Sequence, residues 1–509
     1  MNIRKLLTRL VSLALIAVFL PTVAMADTWY LEDGSITVSA TESGQNVSQG
    51  GVTKEDSAPV IRNRDSSAST TNNVTIRADT GATASVTLKD TNIDTTGGAG
   101  PKGAGDAAVR TEGGGNVNLN VELDNTLQSG NTHAGVEKGN GGNLTIGSES
   151  GSGQLVAVGA DGGAGIGSED RLASGNYNVG NITITGGDIF ATGNGGGAGI
   201  GGGWYCSASD ITITGGNVTA VGKEDNPNRI GGAGIGGGGS QSSNAGGGSN
   251  LKITGGRVTA VGGNFSAGIG GSIGSNGDNI TISDAEVIAI GGTCAAGIDG
   301  GCRLGNGIVG QGTNISISGS ANVKAAGGVG DSMDGAGAAI GAGGSHQGTT
   351  AQEGAADTSG LSPDGSVERL DPGTTFDIPQ PKPRSSFPKP APDPVAVEEE
   401  PQPVKAALYR VIDDAGKALP VETKQEDGVL LLTAQADIAI LEGAISGLQT
   451  LQSRGIDTIT FTNGTISVSF SLAEVIAKGA SSDVYRLTLS GGEASFTLGD
   501  ADITALLGK

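Results

Sequence analysis

Residues 181–203 read NITITGGDIFATGNGGGAGIGGG, and the same three-part phrase returns along the chain. It recurs at 210 (DITITGGNVTAV, then GAGIGGGG), 250 (NLKITGGRVTAV, then SAGIGGS), 279 (NITISDAEVIAI, then AAGIDGG) and 314 (NISISGSANVKA, then GAAIGAG). Poorer copies open at 143 (NLTI), 116 (NVNL), 73 (NVTI) and 35 (SITV), which makes nine copies spaced by 27 to 43 residues. The phrases keep register while the connections between them absorb insertions, the mark of a solenoid. Each copy holds three short β-type runs separated by glycine-rich turns, and none is long enough for a helical period. A strand of four or five residues gains a partner and a shared core only by stacking on its equivalent in the next copy. The expected fold is an all-β parallel β-helix with three short strands per rung and about nine rungs, right-handed by the crossover rule.

Alternation assigns the sides. Ile182 and Ile184 point inward and Thr183 and Thr185 outward, as do their counterparts around Ile211 and Ile213, Leu251 and Ile253, and Ile280 and Ile282. Asn or Asp opens eight of the nine copies, which predicts a left-handed turn residue with side chains bonded from rung to rung. Two outward columns stand out. The third phrase places Arg62, Arg110, Glu137, Gly167, Gly201, Gly236, Gly270, Asp299 and Gly341 in line. That column is either a bare floor for a flat ligand or a run of turns needing positive φ. The second phrase aligns Val158, Thr192, Val221, Val261, Ile290 and Ala326, an apolar stripe that either docks a partner or turns inward.

The N-terminus carries Arg4, Lys5 and Arg9, an apolar run from Leu10 to Leu20, then Ala24-Met25-Ala26. Residues 1–26 therefore read as a secretory signal peptide, with cleavage before Asp27. Its removal takes the net charge from −22 to −25, which argues against nucleic acid as a partner. No second membrane-spanning run is present. With 94 glycines and 3% aromatic residues the chain is no ordinary globular domain.

Cys206, Cys294 and Cys302 are an odd set for a secreted chain. Cys294 and Cys302 flank the third strand of one rung, and an extended strand between them would span roughly 26 Å, so free thiols are expected unless a loop there bends sharply. No CxxC occurs, and His133 and His346 are the only histidines, so neither a metal site nor a cofactor is expected. Aromatic faces stack on sugars. Tyr177, Trp204 and Tyr205 lie in neighbouring connections and are the glycan-contact candidates, with Phe265 more remote. For catalysis the residues to weigh are Asp284, Glu286 and Asp299, which depart from consensus in one rung but sit at different corners of it.

Residues 27–345 resemble the pectin-lyase-like parallel β-helix class, and the GAGIGGG phrase is similar to that of secreted repeat proteins and adhesins of Gram-positive bacteria. That resemblance implies a carbohydrate-binding or adhesin-like role, with a glycan or a host or cell-surface protein as partner. The polygalacturonase elements Asn-Thr-Asp, Asp-Asp, Gly-His-Gly and Arg-Ile-Lys are missing from the repeat region, which weighs against the alternative of a lyase or glycoside hydrolase.

Residues 346–404 read as a polar, then proline-rich linker, since ten of the sixteen prolines fall between Pro372 and Pro403. Fully extended, the proline-rich part would reach roughly 100 Å as a spacer. Residues 405–509 form a small α+β domain. A hairpin is expected at Asn463-Gly464, a helix from Asp437 to Arg454, and a second helix from Ser471 with Glu474 closing a capping box. The tail carries no LPxTG-type motif or terminal apolar segment. The expectation is thus a secreted protein, extracellular or held noncovalently at a cell surface.

Overall fold

The computed structural model describes residues 27–97, 106–170, 178–387 and 409–508, apart from 131, 224–229, 242–245, 303–308, 332–333, 346–349, 415, 418, 420, 427, 454, 481–482 and 500. The chain divides into two compact units between Asp393 and Pro394.

The first unit is a right-handed parallel β-helix built from three sheets. The first sheet stacks eleven strands from Thr28–Tyr30 to Ala356–Asp357, and the second stacks nine from Asn92–Asp94 to Ser366–Leu370. The third runs from Ile36–Thr41 to Ile340–Gly341 and is extended at its N-terminal end by the antiparallel strands Gly44–Gln49 and Val52–Glu55. In the first sheet Leu144, Ile182, Ile211, Leu251, Ile280 and Ile315 follow one another in register, each at most 4% exposed. Aliphatic ladders of this kind fill the interior from end to end. The asparagine column behaves as its chemistry demands. Asn181, Asp210, Asn250, Asn279 and Asn314 all have φ between 53° and 60°. Asn250 donates to Asp210, Asn279 to Asn250 and Asn314 to Asn279, at 3.0–3.1 Å.

The earliest copies are phased differently from the expectation. Ile36–Thr41 and Val74–Ala78 belong to the third sheet, whereas Val60–Arg62 belongs to the first. Arg62 therefore leaves the glycine column, where Thr37 and Thr75 precede Arg110. Alternation alone does not distinguish one sheet of a three-sided coil from another, so the weak glycine phrase of these rungs left their phase open. The solenoid also runs past 345: Ala356–Asp357 pairs with Ile315–Ser318 and Ser366–Leu370 with Asn322–Ala326, which makes one more rung. Its continuation, residues 371–387, is no free spacer, because it folds back over the second sheet. Gly373 donates to Gly327 O (2.9 Å), and Lys382 and Arg384 reach the rungs of Asp188, Gln154, Asp124 and Asp90.

Cys294 and Cys302 are joined by a disulfide, with Cα atoms 5.4 Å apart. The expectation of thiols assumed an extended strand between them. Instead the third strand is only Ile298–Asp299, and the turn at Cys294 (φ 51°) folds the chain back. Cys206 is buried outside this bridge.

The second unit has a five-stranded sheet around Ile438–Ala444 and Val484–Ser490 and a four-stranded sheet containing Val429–Ala434 and Thr458–Thr462. The helix expected from Asp437 is half strand: Ile438–Ala444 pairs on both sides, and helix begins only at Ile445, ending at Ser453. Leu441 opposite Leu487 and Ala439 opposite Leu489 outweigh the helical spacing of the same residues. The hairpin turn holds four residues rather than two, with Asn463 Oδ1 accepting from the Thr465 and Ile466 amides. A short helix, Leu472–Ile476, follows Ser471, but the Ser471 side chain makes no capping bond.

Candidate functional site

The glycine column explains itself through its backbone. Gly167, Gly201, Gly236 and Gly270 are buried, with φ between 134° and 147°. A Cβ on Gly236 would fall 2.0 Å from Gly270 O. Positive φ and rung-to-rung contact require glycine there, and no bare floor is offered to a ligand.

Trp204 opens the turn after Ile200–Gly201, donating its backbone N–H to Gly162 O (2.7 Å). Its side chain packs with Ile230 and Ile273 and is 5% exposed, so its face is closed to a sugar. Tyr205 stands edge-on to it at 5.4 Å and, like Phe265, is half-buried against the same cluster. These aromatics form a satellite core beneath the connections. Tyr177 lies outside the described residues.

The three carboxylates serve three different places. Asp284 caps the turn between first and second sheets, accepting from Ser320 N (2.9 Å) and Oγ (3.1 Å). Glu286 faces out from the second sheet and pairs with Arg257 (2.8 Å). Asp299 is 2% exposed on the third sheet, accepts from Gly277 N, and is pushed up to about 7 by burial. It borders a cavity of about 440 Å3 shared with Gln311, Gln352 and Glu353. The three do not converge on one point.

Side chains do converge at the copy whose third phrase is HAGVEKG, where Glu137 and Lys138 replace glycines. Glu137 lies next to Arg110 in the third sheet, and Arg110 Nε donates to its Oε1 (2.7 Å). His133 Nδ1 is 2.6 Å from Glu137 Oε2 and 3.6 Å from Glu169 Oε2. The hydrogen bond to Glu137 pushes His133 above its ordinary value. Burial works to raise Glu137, but the bond to His133 and the nearby charges hold it below the usual range. Lys138 is buried and donates to Asn140 O and Gly142 O, and burial lowers it to about 8. His133, Glu137 and Glu169 each present a ligand atom within 4.8 Å of the others. Arg110 Nη2, however, stands 3.3 Å from His133 Nδ1 and already supplies positive charge at that point. The cluster is an ion-pair network built on Arg110 and Glu137.

Beside it opens a cavity of about 350 Å3 at the corner between third and first sheets. Its polar lining residues are Glu137, Lys138, Asn140, Ser168, Glu169, Asn178 and Asn181. Reading the sequence placed Glu137 in a column and His133 among histidines, but did not join them. The signal was the charged pair in an otherwise glycine phrase. His346 lies outside the described residues.

No helix among the described residues is long and apolar enough to cross a membrane. No curated protein and no solved structure matches the chain. Four stretches, 182–204, 211–239, 251–274 and 280–302, match the family model described as a beta helix repeat, in keeping with the parallel coil that these rungs build.

Proposed function

We propose that this chain is a noncatalytic β-helix protein, secreted or held at a cell surface, that binds carbohydrate as an adhesin does. Its glycan site is the corner cavity beside Glu137 and Glu169. The cavity itself carries this reading. Amide, carboxylate and hydroxyl groups line a cavity of about 350 Å3, a set suited to sugar hydroxyls and of a size ordinary for ligand sites. The Cys294–Cys302 bridge supports export, since disulfides persist in oxidising compartments. The signal-like residues 1–26 point the same way.

One observation favours a second reading, a polysaccharide lyase or hydrolase: Lys138, lowered to about 8, stands at the cavity wall. Against it, the Lys138 ammonium is engaged with two carbonyls and holds a turn. A glycan array probed with the full chain separates the two. Asn178→Ala and Glu169→Gln should each weaken the retained glycan by about tenfold, the loss of one or two hydrogen bonds. Binding untouched by either substitution removes the cavity as the site. Release of unsaturated product that Lys138→Ala abolishes establishes the lyase instead.

A further inference from the structure

Residues 371–387, DPGTTFDIPQPKPRSSF, run along the outside of the second sheet from its last rungs back towards its first. Phe376 lines a cavity together with Ile288, Asn322 and Lys324. Six residues later Lys382 reaches Gln154 and Asp188, three to five rungs away. At ~3.1 Å per residue an extended polyproline-type chain covers about 19 Å, and four rungs at ~4.8 Å span the same distance. The outward apolar column Val158, Thr192, Val221, Val261 and Ile290 is in register and half-buried on this sheet.

The contacts read the segment by its chemistry. The Gln154 side chain donates to Lys382 O (3.0 Å) and accepts from Lys382 N (2.8 Å), taking the part of a strand neighbour. Lys382 Nζ donates to Asp188 Oδ2 (2.6 Å). Arg384 pairs with Asp90 (2.7 Å) and Asp124 (3.2 Å) and donates to Thr91 O (3.0 Å) and Thr126 Oγ1 (3.1 Å). Each carboxylate is steadied by the solenoid. Ser66 holds Asp90 Oδ2, Gln154 holds Asp124 Oδ1 and Asn217 holds Asp188 Oδ1. The oxygens facing the segment are thus set for a cation before one arrives. Beneath Arg384, Asp90 and Asp124 are 5% and 2% exposed, and the guanidinium answers both carboxylates. On the segment, by contrast, no residue is buried. Polar handles hold it, and it adds nothing to the solenoid core.

We propose that the outer face of the second sheet is a recognition groove for an extended, basic, proline-rich peptide with Lys and Arg two residues apart. Residues 371–387 are its resident ligand and close it in cis as a displaceable latch. A peptide of the same chemistry competes for the groove when the latch is released.

The test uses the full chain and a fluorescein-labelled synthetic peptide of residues 371–387. With Lys382→Glu and Arg384→Glu together, the latch is released and the peptide binds in an anisotropy titration, whereas the unmodified chain leaves it free. Binding should fall about tenfold from 0.05 to 0.5 M salt and about tenfold again when Asp124→Asn and Asp188→Asn are added. Peptide bound by neither chain, or equally by both, overturns the latch. A measurement without substitutions guards against a misfolded variant. In hydrogen exchange, the Lys382 amide should exchange well ahead of the second-sheet amides and faster in high salt. If it exchanges only together with those amides, the segment is an integral part of the fold and the proposal fails.

Discussion

Asp299 shows how one rung position can work against its scaffold. It has φ 108° where the neighbouring rungs carry glycine at φ 135°, and its carboxyl is almost wholly buried. Its folded value, about 7, lies above the ordinary 3.8. A raised acid favours the folded state while it stays protonated. That contribution is complete below about pH 4 and is lost as pH rises through 7, a swing of roughly 4 kcal/mol. Asp299→Gly should therefore flatten the fall in stability between pH 4 and 8, and above pH 7 it should be more stable than the parent. Denaturant midpoints across that range check it, and an unchanged slope would remove Asp299 as its source. Trp204 carries a related lesson. Its position in a long connection suggested a sugar platform, but only the coil decides that Ile230 and Ile273 lie against it.

At the scale of elements, short strands make the difference between thiols and a bridge. A third strand of two residues lets Cys294 and Cys302 meet across a sequence separation of eight. Closing so short a loop stabilises by about 2–3 kcal/mol on the chain-entropy account. Denatured but unreduced protein should take up one alkyl group, on Cys206, and reduction should lower the denaturant midpoint of the solenoid. Uptake of three groups without reductant would refute the bridge. Helix and strand are decided in the same way in the second unit. The apolar spacing from Ile438 to Leu451 fits a helix, yet its first half is taken by pairing with Val484–Ser490. A lone periodicity does not register a partner strand that arrives forty residues later.

For the whole molecule, the decisive fact is that the two units have separate cores with no residue in common. Calorimetry of the full chain should show two unfolding transitions, with reductant moving only that of the solenoid. A single transition insensitive to reductant would contradict independent cores. The proline-rich stretch was expected as a spacer, and its described part, residues 371–387, is not one. Its first part lies along the solenoid, because Arg384 and Lys382 find fixed carboxylates there.

What the sequence determined by itself was the repeat. Inward aliphatic ladders, the asparagine column and the glycine turns recur in every good copy, and a local pattern repeated nine times specifies the coil that stacks it. Tertiary structure decided what no single phrase fixes: the phase of the first rungs, the Cys294–Cys302 bridge, the meeting of Arg110, His133, Glu137 and Glu169, and the return of residues 371–387 across the second sheet. The bridge closes within one rung because the third strand there is only two residues long, and the others join one rung to another. Residues 27 to 43 apart become neighbours only once the coil has set their angular position, and no single phrase encodes that angle.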